Sequence, residues 1–159
     1  MKQNFIIKVL LLNYVLAAIV TGALYYFNET SSLVNNLYGV LFLGFIPVLG
    51  GITGLFVARR WGFFKSAVGR AVIFLSLGLI AWGLGTYIYS GVYNLILQVE
   101  VPYPSFADIG YVLALPLWVI GIIQISRAMG ATYGLHSARG KVLLLAIPAL
   151  VIVASYYLL

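Results

Sequence analysis

Ser105 and Asp108 stand three residues apart, immediately before an apolar run. A hydroxyl and a carboxylate at that spacing can form a capping box, or they can present a polar pair to a ligand. In the capping reading, Ser105 accepts from the backbone N–H of Asp108 while the carboxylate reaches back to the N–H of Ser105. The negative charge then meets the positive end of the helix that follows. Pro102 and Pro104 stop the preceding segment, and Tyr111 lies one turn further on. The structural reading suffices for Ser105, Asp108, Pro104 and Tyr111, with direct contact to a signal as the alternative.

Few other residues could do chemistry. Cysteine is absent, so thiolate metal sites, disulfide exchange and a cysteine nucleophile are excluded together. The lone histidine, His136, and Asp108 are expected on opposite membrane faces, which breaks any Ser–His–Asp grouping. Metal sites lack their ligands and the expected membrane interior lacks ionisable residues, so a proton-coupled transporter or pump is disfavoured. No cofactor is expected, and the chain is not expected to be an enzyme.

The elements that hold these residues follow from composition. Of 159 residues, 64% are hydrophobic and 8% charged, against roughly a quarter charged in soluble domains. An all-α polytopic bundle forming a single transmembrane domain is predicted. Apolar runs long enough to cross a bilayer fall at 9–27, 37–58, 71–97, 106–126 and 142–159. A cleaved signal peptide competes for the first run, but its apolar stretch continues to Phe27, which favours an uncleaved helix.

Charge placement gives an expected orientation. Lys2, Lys8, Arg59, Arg60, Lys65, Arg70, Arg127, Arg139 and Lys141 all fall on one side of such a bundle. Glu29, Glu100 and Asp108 fall on the other. The positive-inside rule then puts the amino terminus in the cytoplasm of a multi-pass cell membrane protein. Anionic lipid headgroups, rather than nucleic acid, are the expected partners of the basic residues.

Helix faces carry the remaining candidates. Small residues let membrane helices approach, and pairs occur at Ala18/Gly22, Gly50/Gly54 and Ala81/Gly85. Gly83, Tyr87, Gly91, Asn94 and Gln98 share one face at α-helical spacing, so a polar interior stripe is predicted there. Asn13, Ala17 and Thr21 form a smaller stripe. Trp82, Gly85, Tyr89 and Tyr93 form a second face, suited either to helix packing or to an apolar ligand. Pro47, Gly50, Gly51 and Gly54 mark the softest helix, either a close contact or a hinge. Pro116 and Pro148 are expected to kink their own spans.

Trp82, Tyr87 and Tyr93, followed by Pro102, Tyr103, Pro104, Ser105, Ala107, Asp108 and Tyr111, and then Leu115, Pro116 and Leu117, carry a resemblance. The pattern resembles the membrane-embedded amino-terminal regions of bacterial signalling proteins, in which a "PSxAD" turn precedes GGDEF, EAL or histidine-kinase domains. The likeness covers roughly residues 75–125. It implies a non-enzymatic sensor or regulatory module that works through a membrane-protein partner or a homo-oligomer. No output domain follows here, so a stand-alone relative, a truncated sensor region and a subunit of an assembly stay open. The alternative is a small subunit binding a lipid or quinone within a larger membrane complex.

Overall fold

The computed structural model describes residues 2–28, 31–129 and 142. Four helices within that range are long and apolar enough to cross a membrane. We label them α1 (Lys2–Tyr26), α2 (Ser32–Arg60), α3 (Ala67–Leu97) and α4 (Phe106–Ala128). The predicted fifth span, 142–159, lies outside the described residues apart from Val142, as do Glu29, His136, Arg139, Lys141 and Pro148.

The helices outrun the apolar stretches that predicted them. α2 begins at Ser32 rather than 37, and α3 at Ala67 rather than 71. Local capping explains the second extension. Ser66 Oγ accepts from the N–H of Gly69 at 2.8 Å and donates to the carbonyl of Trp61, satisfying the first turn of α3. Between α2 and α3, Gly62 takes φ +83°, the left-handed conformation in which a glycine closes a helix without a Cβ penalty.

Successive helices run antiparallel, as the cross-contacts show. Thr21 on α1 meets Tyr38 on α2. A Cβ at Gly44 on α2 would lie 3.2 Å from the Tyr87 ring on α3, and one at Gly121 on α4 would lie 2.7 Å from Leu75. Helix α3 is central: 44% of its apolar window is buried, against 6% for α1. The interior is built from small residues, with Ala58, Ala71, Ala107 and Ala114 fully buried and Ile73 the largest side chain among them. Leu11, Phe56, Ile109 and Val112 face outward. Lipid gives no hydrophobic drive between helices, so close backbone approach holds the bundle and large side chains meet the acyl chains. Buried hydroxyls are satisfied locally, Ser76 by the carbonyl of Val72 at 2.6 Å and Ser126 by that of Ile122 at 2.7 Å.

Two helices change winding part-way. Gly39–Gly44 of α2 and Tyr87–Leu97 of α3 are π-helical. The first lies just upstream of Pro47, whose ring would crowd the carbonyl of Leu43 in an α-helix and which offers no N–H to pair. Wider winding relieves both problems. The altered winding ends just before Phe45, upstream of Pro47, and the glycines beyond the proline lie in regular α-helix. In α3 the wider winding also shortens the rod below the length that α geometry would give.

Candidate functional site

The turn before α4 is a cap of modified form. The N–H of Ser105 donates to Asp108 Oδ2 at 2.6 Å, as the capping box requires. The hydroxyl does not accept from the N–H of Asp108. Ser105 Oγ instead donates to the same Oδ2 at 3.0 Å, and the N–H of Asp108 goes to the carbonyl of Ser105 at 3.2 Å. One carboxylate oxygen thus collects both donors, because a carboxylate is the stronger acceptor. Ser105 is buried, whereas Pro104 is exposed and Asp108 half-buried.

The aromatic face of α3 is filled by α4. Trp118 lies against Gly78, where a Cβ would run into the indole. Trp82 stacks on Trp118 with ring centroids 5.8 Å apart and meets the edge of Tyr111 at 4.9 Å. The hydroxyl of Tyr111 reaches Thr86 Oγ1 at 3.4 Å. A Cβ at Gly85 would lie 2.9 Å from the carbonyl of Ala107. Between the two readings of this face, packing occupies Trp82 and Gly85. Tyr89 is exposed and Tyr93 half-buried beyond the contact.

The glycines of α2 separate in the same way. A Cβ at Gly51 would lie 2.5 Å from the carbonyl of Ser76, and one at Gly54 would strike Ser76 Oγ. Among the described residues Gly50 has only Leu79, at 4.0 Å. Gly51 and Gly54 are contact residues of the α2–α3 interface, and Gly50 is open. On α1 the Ala18/Gly22 pair makes no such contact among the described residues: Ala18 is exposed and none of them approaches Gly22 within 4 Å. The Asn13 stripe does face inward, with Ala17 buried and Thr21 bonded to Tyr38 at 2.7 Å. Asn13 Oδ1 is buried, with no hydrogen-bond partner among the described residues.

The polar stripe of α3 needs correction. The predicted face keeps meeting α2 as far as Gly91, and beyond it π winding fits more residues into each turn. Tyr87 stays inside against Gly44, and Gly91 against Val40. Asn94 instead donates its Nδ2 to the carbonyl of Tyr89 at 2.8 Å. Gln98 is exposed and takes φ +52°, a conformation costing about 1–2 kcal/mol in a residue with a Cβ. That residue turns the chain back, so the N–H of Val99 bonds the carbonyl of Tyr93 at 3.1 Å.

The consequence is a polar cleft at this end of the bundle, of about 430 Å³, lined by Ser32, Asn36, Asn94, Leu95, Gln98 and Glu100 among others. Sequence reading missed Ser32, Asn36 and Glu100, which come from two segments far apart in the chain. The only signal for them was their polarity beside apolar runs. A second hollow, about 560 Å³ and almost wholly apolar, lies along α3 and α4 between Leu77, Leu84, Ile109 and Leu113.

Charges divide between the ends. Lys8, Arg59, Arg60, Lys65, Arg70 and Arg127 stand at one end of the antiparallel rods, and Glu100 and Asp108 at the other. Arg70 ties its end together, donating to the carbonyl of Phe64 at 3.0 Å and to Gln124 Oε1 at 3.4 Å. Among the described residues no group of three or more His, Cys, Asp or Glu side chains could hold a metal ion. Comparison with protein-family models, with curated proteins and with solved structures finds no match to this chain.

Proposed function

We propose that this chain is a non-enzymatic regulatory module of a bacterial cytoplasmic membrane, working through a membrane-protein partner or a second copy of itself. In this reading the basic end faces the cytoplasm, by the positive-inside rule, and the cleft opens on the outer side. The observation that carries the proposal is the pairing of the two π-helical segments. Tyr87 rests on Gly44, Ser90 on Gly39, and Gly91 on Val40. A π segment differs from an α segment by the residues it fits into each turn, so rewinding shifts everything beyond it. Two such segments in contact supply the two arrangements that a regulatory element needs, and π-helical insertions concentrate at functional sites. The resemblance around Trp82, Ser105, Asp108 and Tyr111 supports the same class.

Deleting Val92, an outward-facing residue of the π segment, tests the proposal. Removal of one residue favours α winding without emptying a core position. Membrane insertion and thermal stability in detergent should be kept, while crosslinking to partners in native membranes changes. Loss of stability and crosslinking in proportion would contradict the proposal.

The apolar hollow beside Leu84 and Ile109 favours a second reading, a subunit that holds a lipid acyl chain or quinone. Gly85 of the predicted aromatic face lines that hollow, while Trp82 of the same face is occupied by Trp118 and Tyr111. Native mass spectrometry that finds a retained apolar molecule, lost in Leu84→Trp, would favour it.

A further inference from the structure

We infer that the polar cleft between the start of α2 and the end of α3 binds a small organic ammonium compound carrying neighbouring hydroxyl or amide groups. The size suits such a molecule: about 430 Å³ lies within the range of small-ligand sites. The lining offers both kinds of hydrogen-bonding group. Asn94 spends Nδ2 on the carbonyl of Tyr89, which leaves Oδ1 as an acceptor. The side chains of Ser32, Asn36 and Gln98 supply further donors and acceptors from two helices.

Charge selects the ligand class. Among the described residues Glu100 is the only charged one lining the cleft, and a carboxylate there opposes anions and attracts a cation. The helix termini leave the choice to Glu100, because the carbonyls at the end of α3 are offset by the N–H groups at the start of α2. A divalent metal is a poor fit: calcium takes six to eight oxygen ligands, commonly from several carboxylates, and the described lining residues supply one. An apolar molecule would leave the amides and the carboxylate unpaired. An ammonium group bonded to Glu100, with a hydroxyl among Ser32, Asn36 and Asn94, meets the carboxylate and draws on the amides beside it.

The inference rests on the regulatory reading only for what binding means, since the cleft is bounded by both helices that carry π segments. A ligand bridging Asn36 and Asn94 would favour one spacing of those helices over another.

The test uses the full chain, in nanodiscs of phosphatidylglycerol alone. Ethanolamine is the probe, acetamide the neutral control and acetate the anionic one. Side-chain amide resonances of Asn36, Asn94 and Gln98 report occupancy. Ethanolamine should shift all three saturably at millimolar concentration, and acetate should not. Glu100→Gln, a surface change that leaves the fold intact, should weaken ethanolamine binding about tenfold, the scale of one lost charge-assisted hydrogen bond. Asn36→Ala should weaken it independently.

In nanodiscs containing phosphatidylethanolamine, loss of the ethanolamine response would assign the ammonium group to a lipid headgroup. A retained response would assign it to a free solute, and both results uphold the site. No shift with ethanolamine, equal shifts with acetate, or unchanged binding in Glu100→Gln would overturn it. Binding that leaves partner crosslinking unchanged supports the site and contradicts the regulatory reading. Absent binding in a protein whose crosslinking still responds to deletion of Val92 does the reverse.

Discussion

The indole of Trp118 on α4 sits in the notch that Gly78 leaves on α3, and it is stacked there by Trp82. A methyl group at Gly78 would have to displace an aromatic ring that is also stacked on Trp82, so the ring cannot move without disturbing that pair. Gly78→Ala should therefore destabilise the protein by about 1–3 kcal/mol, the usual range for overpacking. Trp118→Leu should cost a comparable amount through lost packing and stacking. The double variant should cost less than the sum of the two, because the smaller side chain makes room for the methyl. Thermal unfolding in one detergent would measure all three.

The glycines of α2 should respond with opposite signs. Gly50 is open, so Gly50→Ala should be neutral or stabilising by up to about 1 kcal/mol from helix propensity. Gly51 faces the carbonyl of Ser76 at 2.5 Å, so Gly51→Ala should destabilise by about 1–3 kcal/mol. Equal effects at the two positions would contradict the packing described for the α2–α3 interface.

At the α4 cap, Asp108 Oδ2 receives both the N–H and the hydroxyl of Ser105. Asp108→Ala should cost about 0.5–2 kcal/mol, the range of a lost cap. Asp108→Asn keeps one acceptor and should fall at the low end of that range. Asp108→Glu should be nearly silent, since Glu is the usual residue at this position of a capping box. Complete loss of a cellular response in both Asn and Glu variants, at unchanged stability, would make the carboxylate a contact for a signal instead.

What the sequence disclosed about these sites followed the distance over which each is built. The back-reaching carboxylate of Asp108 was legible because both partners lie within one turn. The close approaches at Gly51, Gly54 and Gly85 were legible because small residues in membrane helices have few other uses. Trp118 was not legible as the occupant of the Gly78 notch, since only the pairing of helices brings them together. Asn94 and Gln98 were assigned to the interior because an α-helical period was extended through Tyr87–Leu97. No proline or other local signal within Tyr87–Leu97 announced the π winding there. Ser32, Asn36 and Glu100 join the same cleft only once that winding is known.

The separation of charge predicts topology. A reporter inserted at Lys65 should read as cytoplasmic, and one inserted between 98 and 103 as extracytoplasmic, because all the basic residues of the α2–α3 turn lie at the first end. The opposite readings would invert the bundle and place the polar cleft in the cytoplasm.

The absence of cysteine makes the chain suited to paired spin labels, which test the regulatory account at its centre. Leu41 and Ile96 are exposed, one in each helix that changes winding. With nitroxides at these two positions, the distance distribution in nanodiscs should show two populations whose ratio shifts when ethanolamine is added. Deletion of Val92 should collapse them to one. A single distance that neither ethanolamine nor the deletion alters would mean that the π segments are fixed packing, and would contradict the account.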